Sequence, residues 1–297
     1  MLRLEDLAEL VDENSDALKS TVTSFKIGDH LFDFKSGPYL MGVVNLSQDS
    51  WYRESVCLSM ESAVQRGLTL KAQGASLVDI GAESSVLDSS RVEGKLQESR
   101  LLPVVYNLSS QKVLISAETY LPGVARSCLE SGASVLNITG TQHANAIYTL
   151  AAEYDAAVII CYVQGPNVRE VGDLEFSDDP IEIMKEFFSR EIDAASKAGV
   201  TRIIIDPGLG FYYRNLKDSG ERVRHQMRTF LNTFRLRSLG WPVCHALPHA
   251  FEYFKEEIRC SEPFFAVMAT LGKTDLYRTH EVPRVRAVLE TMGVWSS

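Results

Sequence analysis

The chain has 297 residues, 45% of them hydrophobic, enough for a large core, and a formal net charge of -9 that leaves no overall nucleic-acid footprint. Its five cysteines (Cys57, Cys128, Cys161, Cys244, Cys260) are widely spaced and form no C-x-x-C pair. They read as free buried thiols of a reducing cytoplasm rather than a metal cluster. No apolar run approaches a membrane span, and acids close behind Met1 argue against a secretory signal.

Residues up to about 19 read as an amphipathic helix, with Leu4, Leu7, Ala8, Leu10 and Val11 at helical spacing. Residues 23–34, centred on Gly28-Asp29, read as a β-hairpin. Strand candidates then fall at 39–45, 77–80, 113–117, 135–138, 157–162, 202–206, 243–246 and 276–279. Helix candidates follow them at 59–73, 94–108, 121–131, 143–154, 180–198, 219–238, 261–271 and 282–292. Ser59 and Ser261 are candidate helix caps, and Gly74, Gly132 and Gly199 candidate helix terminators. Eight βα pairs without a linker predict a (β/α)8 TIM barrel over residues 39–297, preceded by a helix and hairpin extension over 1–38. An open doubly wound sheet is the alternative, since periodicity does not reveal closure.

Several strand candidates close in a polar residue. The apolar run from Met41 ends at Asn45, the run from Val113 leads to Glu118, and Val135-Leu136 leads to Asn137. Ile203-Ile204-Ile205 ends at Asp206. Buried parallel strands are continuous apolar runs, and α/β enzymes gather their chemistry at the carboxyl ends of such strands. One polar pocket at one end of the sheet is therefore expected.

The motifs Met41-Gly42-x-x-Asn45-x-x-x-Asp49-Ser50, Asp79-Ile80-Gly81-x-Glu83-Ser84 and Ser116-x-Glu118-Thr119 come first. A strand carrying Asn137, then Asp206-Pro207-Gly208-x-Gly210-Phe211 and Arg278-Thr279-His280-Glu281, follow in order. In this order they resemble the dihydropteroate synthases and their pterin-binding relatives, from about Tyr39 to Met292. The resemblance implies a (β/α)8 barrel. It also implies a transferase of folate biosynthesis. Such an enzyme condenses 6-hydroxymethyl-7,8-dihydropterin diphosphate with p-aminobenzoate and releases diphosphate, with magnesium (Mg2+) on the leaving group.

Carried over residue by residue, the resemblance gives Asp206 the donor edge of the pterin and Asn137 its mixed edge. Glu118 stands where the family has aspartate, one methylene shorter. Asn45 would hold magnesium or a phosphate oxygen. Arg278 and His280, on one side of the last strand, would bind phosphate. Ser47 and Asp49 belong to a first loop that closes over the site, and Trp51 takes the place of a loop phenylalanine. Ser85 takes that of a threonine.

The departures lie on the amine side. Where the family has Ser-Arg-Lys-Ser, strand alignment places His249 at the arginine and Ala250 at the lysine, with Lys255 further on. Val86 replaces the arginine of Thr-Arg-Pro, with Arg91 beyond it. His245 and His249 lack a third ligand, so zinc is not expected. The expected function is a divergent synthase. The alternative is a non-catalytic pterin-binding protein that sequesters, senses or supports a partner. A pterin-dependent methyltransferase component is the weaker alternative, disfavoured by the retained phosphate site. The expected partners are a pterin and an aromatic amine, with no nucleic acid and no membrane; homodimerisation is left open.

Overall fold

The computed structural model describes residues 1–47, 52, 55–83, 92–174, 179–211, 213, 215–216 and 218–296. A short hairpin, β1 (Phe25–Ile27) and β2 (His30–Phe32), turns at Gly28, whose φ of +56° suits glycine. Eight parallel strands follow: β3 (Tyr39–Asn45), β4 (Leu77–Gly81), β5 (Ile115–Glu118), β6 (Val135–Ile138), β7 (Ala157–Cys161), β8 (Ile203–Asp206), β9 (Cys244–Ala246) and β10 (Leu276–Thr279). Their order is β8-β7-β6-β5-β4-β3-β10-β9. A parallel bridge between Ile205 and Val243 joins β8 to the start of β9 and closes the ring. The expected (β/α)8 barrel is the observed fold, and the open sheet is excluded.

Helices intervene between successive strands: α2 (Met60–Ala72) after an initial helix α1 (Leu4–Glu13), then α3 (Gly94–Ser110), α4 (Pro122–Glu130), α5 (Ala144–Glu153) and α6 (Pro180–Lys197). Then come α7 (Ser219–Leu231), α8 (Thr233–Leu236), α9 (Phe251–Phe254), α10 (Ser261–Leu271) and α11 (Val282–Gly293). Ser59 caps α2 as expected, accepting from the Ser62 amide. Gly74, Gly132 and Gly199 all take positive φ just past α2, α4 and α6. Ser261 departs from expectation: it begins α10 without a capping bond, and its hydroxyl donates to Pro248 O and accepts from the Ala250 amide. It pins the loop after β9 instead. The single helix expected over 219–238 is broken at Asn232, whose side chain folds back onto Arg228 O.

Two apolar clusters divide the molecule. The larger lies between strands and helices. The smaller runs through the barrel interior, and at its amino end Met41, Leu77, Val135, Ile159, Ile204, Cys244 and Leu276 meet Phe25, Ile27, Phe32 and Phe34 of the hairpin segment. The hairpin is thus a plug, and it leaves the other end for ligands. Helix α1 forms within the expected segment but stops at Glu13, short of 19; none of its residues is buried, and Leu4 and Val11 are exposed. Cys57, Cys128, Cys161 and Cys244 are buried free thiols as expected, whereas Cys260 is exposed. Among the described residues no helix is long and apolar enough to cross a membrane.

Candidate active site

Strand register builds one polar row at the carboxyl end of the barrel. Asn45 pairs with Gly81, Gly81 with Glu118, and Glu118 with Asn137. Paired residues of a parallel sheet point the same way, so these side chains share one face. Gly81 leaves room for Glu118: a Cβ there would lie 3.3 Å from Glu118 Oε2, tighter than ordinary packing. Directly beneath, Val43, Asp79, Ser116 and Val135 form the next row. Asn45, Glu118, Asn137, Asp206, Arg278 and His280 all line a single cavity above this row, together with Tyr52, Glu83, Gln226 and His249.

Asp79 organises the floor. It is wholly buried and accepts from Ser116 Oγ (2.6 Å), from Asn137 Nδ2 (3.3 Å to each oxygen) and from Arg278 Nε (2.6 Å). Arg278 Nη2 donates to Glu118 Oε2 at 2.5 Å. A buried acid is stable only when paired in this way. Asn137 also accepts from the Cys161 thiol at 3.2 Å, which leaves its amide one N–H and one lone pair for a ligand.

The cavity holds more acid than base at its centre. Burial pushes the Glu118 carboxyl up to about 7, against the pull of Arg278 and with the help of Asp79, Glu83 and Asp206. Burial likewise raises Asp206 to about 6, although the Gly208 amide donates to Oδ1 at 2.8 Å and Arg278 is near. Such a floor is matched by a ligand edge rich in N–H donors, which would favour the ionised carboxylates. At the end of β3, Asn45 Nδ2 donates to Ser55 Oγ at 2.7 Å. The amide oxygen of Asn45 is of the hard donor type that suits magnesium.

The wall opposite the floor is built differently. Glu262, at the start of α10, is wholly buried; Oε2 accepts from the His280 amide (3.0 Å), the Glu281 amide (3.1 Å) and the Thr279 hydroxyl. Its Oε1 lies 2.7 Å from His280 Nδ1 and 3.0 Å from His249 Nε2. Burial opposes its charge, but the two imidazoles outweigh burial and hold the carboxyl far below the usual range. Tyr52 stacks on His249 (centroids 4.7 Å, 22° between planes), leans on His280 at 4.8 Å, and donates to Glu281.

The six residues expected at strand ends thus come together. Ser47 is buried in the loop after β3 and does not line the cavity. Asp49, Trp51 and Ser85, and also Val86 and Arg91, lie outside the described residues. Ala250 is packed in the outer core at 2% exposure, and the neighbouring side chain that faces the cavity is His249. Lys255 is exposed and does not line the cavity. His245 sits in the core with Thr233 at 2.7 Å, away from His249. Sequence reasoning placed Asp79 in a motif without giving it a role, and missed Glu262 and Tyr52. For Asp79 the signal was present: an acid inside the apolar run Leu77-Val78-Asp79-Ile80 demands a buried partner.

Residues 41–246 match the sequence profile of a family described as pterin binding enzyme. The chain is 29% identical over 269 residues to a dihydropteroate synthase of Synechocystis sp., covering 86% of this chain and 89% of that protein. It is 30% identical over 222 residues to the dihydropteroate synthase of Streptococcus pyogenes, covering 73% and 77% respectively. The solved Xanthomonas albilineans dihydropteroate synthase with 4-aminobenzoic acid shares the fold, with a TM-score of 0.77 at 24% identity over 93% of this chain and 99% of that one.

Proposed function

The chain belongs to the pterin-binding enzyme family, among the dihydropteroate synthases, and from that premise we propose that it is a cytoplasmic synthase. It condenses 6-hydroxymethyl-7,8-dihydropterin diphosphate with an aromatic amine of the p-aminobenzoate type. The observation that carries the reading is the convergence of Asn45, Glu118, Asn137, Asp206, Arg278 and His280 on one cavity.

Asp206 accepts from two N–H groups of the pterin edge, and Asn137 donates and accepts beside it. Arg278 is held by Asp79 and Glu118, so it keeps one position under the ring. In the reaction the amine nitrogen bonds to the pterin methylene while the carbon–oxygen bond breaks. Diphosphate leaves with the electron pair, and the amine gives up a proton. His280 and the Arg278 guanidinium place donors toward the oxygen that gains charge. Asn45 would hold magnesium, which would supply charge neutralisation on the leaving group.

The test is a diphosphate-release assay with the pterin diphosphate, p-aminobenzoate and magnesium, with dihydropteroate identified as product. No turnover in the natural protein despite pterin binding would overturn the synthase reading. It would favour the second one, a non-catalytic pterin-binding protein. That reading has its own support: the cavity wall after β9 presents His249, with no lysine among the described lining residues.

A further inference from the structure

We propose that His249, Glu262 and His280 form a binding site for a divalent transition metal, zinc by its ligand set, in the cavity wall. One ligand atom from each lies within 4.8 Å of the others. Two imidazoles and one carboxylate, with a further position open, are the donor set of catalytic zinc sites.

The supporting geometry is specific to this trio. Oε2 of Glu262 is occupied by two backbone amides and the Thr279 hydroxyl, so the carboxylate cannot rotate away. Its other oxygen, Oε1, faces both rings. His249 Nε2 is buried and, though 3.0 Å from Oε1, is misaligned for an N–H···O bond; it has no aligned hydrogen-bond partner. Buried polar atoms are seldom left so, and a bound cation would satisfy this one. The ligands come from three separate elements: the loop after β9, the first turn of α10, and the residue after β10. Tyr52 stacks on the His249 ring and restrains its plane. His249 and His280 line the cavity, so the open coordination position faces the space where a substrate oxygen would lie. Asn45, at the end of β3, is not part of this trio.

The experiment uses the full chain, dialysed against EDTA and titrated with cobalt(II) and then zinc(II), without pterin or amine. Its failure would therefore leave the synthase reading standing, and the converse also holds. The expected result is one equivalent of cobalt with the visible absorption of a low-coordinate site, displaced by zinc. His249→Ala and His280→Ala should each lower zinc affinity at least about ten-fold. X-ray absorption on the zinc-loaded natural protein needs no variant and should show two imidazoles with oxygen donors. No saturable cobalt binding, unchanged affinity in both variants, or a sulfur-containing shell would overturn the proposal.

Discussion

Replacing Asp206 by asparagine should move stability and pterin binding in opposite directions. Burial raises this carboxyl from its ordinary 3.8 to about 6, against the Gly208 amide and Arg278. The folded state therefore opposes ionisation by ~3 kcal/mol at neutral pH. The sign follows from the direction of the shift. Below the unfolded value both states are protonated and nothing is lost; as pH rises from 3.8 towards about 6 the folded state loses stability, and above that the full cost remains. Asparagine carries no such cost, keeps an oxygen for the Gly208 amide, and removes one counter-charge from Arg278. The net gain should be on the order of 1–2 kcal/mol at about pH 8, a rise of a few degrees in melting temperature. Near pH 4 the difference should shrink below about 1 kcal/mol. Pterin binding should instead weaken ten-fold or more, because a charged hydrogen bond contributes about 1.5–3 kcal/mol. Melting curves at the two pH values and calorimetric titration with pterin read both effects. A variant that melts lower at the higher pH, or binds pterin unchanged, would refute the reasoning.

Arg278→Ala should destabilise the fold by about 3–5 kcal/mol in urea, because Asp79 and Glu118 lose their buried counter-charge; a loss under about 1 kcal/mol would mean the pair is not structural. Pterin affinity should fall about ten-fold per pH unit below about pH 6, as Asp206 takes up a proton, and a flat titration would contradict this assignment. Ala250→Lys should lower the melting temperature sharply, since it forces an ammonium into a site that is 2% exposed. His249→Lys should be tolerated and bring a cation to the cavity; equal stability of the two variants would show that the loop after β9 rearranges.

The barrel was legible because its signals are local. Apolar runs such as Ile203–Ile205 and glycines such as Gly74 and Gly199 act on their own neighbourhoods, and the bounds of the barrel strands matched within a few residues. The strand-end residues were legible for the same reason: Asn45 and Asp206 each close an apolar run. The wall was not. Glu262 is far from His249 and His280 along the chain only in the sense that a helix start and two loops must meet, and no periodicity encodes that meeting. The register of the loop after β9 is set by Ser261 bonding Pro248 and Ala250, a contact no strand alignment contains. That contact is why the cavity-facing position falls on His249 and not Ala250. Asp79 was readable as a buried acid, but its partner Arg278 lies 199 residues on.

The hairpin plug is made well before the last strands of its seat, β9 and β10. Thr23 bonds Gly240 and Lys273 bonds Leu18, contacts that span 217 and 255 residues. Phe25, Ile27, Phe32 and Phe34 dock against strands that include β9 and β10, so their seat is incomplete until those strands have been synthesised. Ring closure by Ile205 and Val243 waits equally long. Contacts of such sequence separation carry a large loop-closure cost, so the final docking step is expected to be slow, with the apolar hairpin face open to self-association before it. Chains truncated before β10 would leave these four apolar side chains with part of their seat missing, an address for a chaperone or the start of an aggregate.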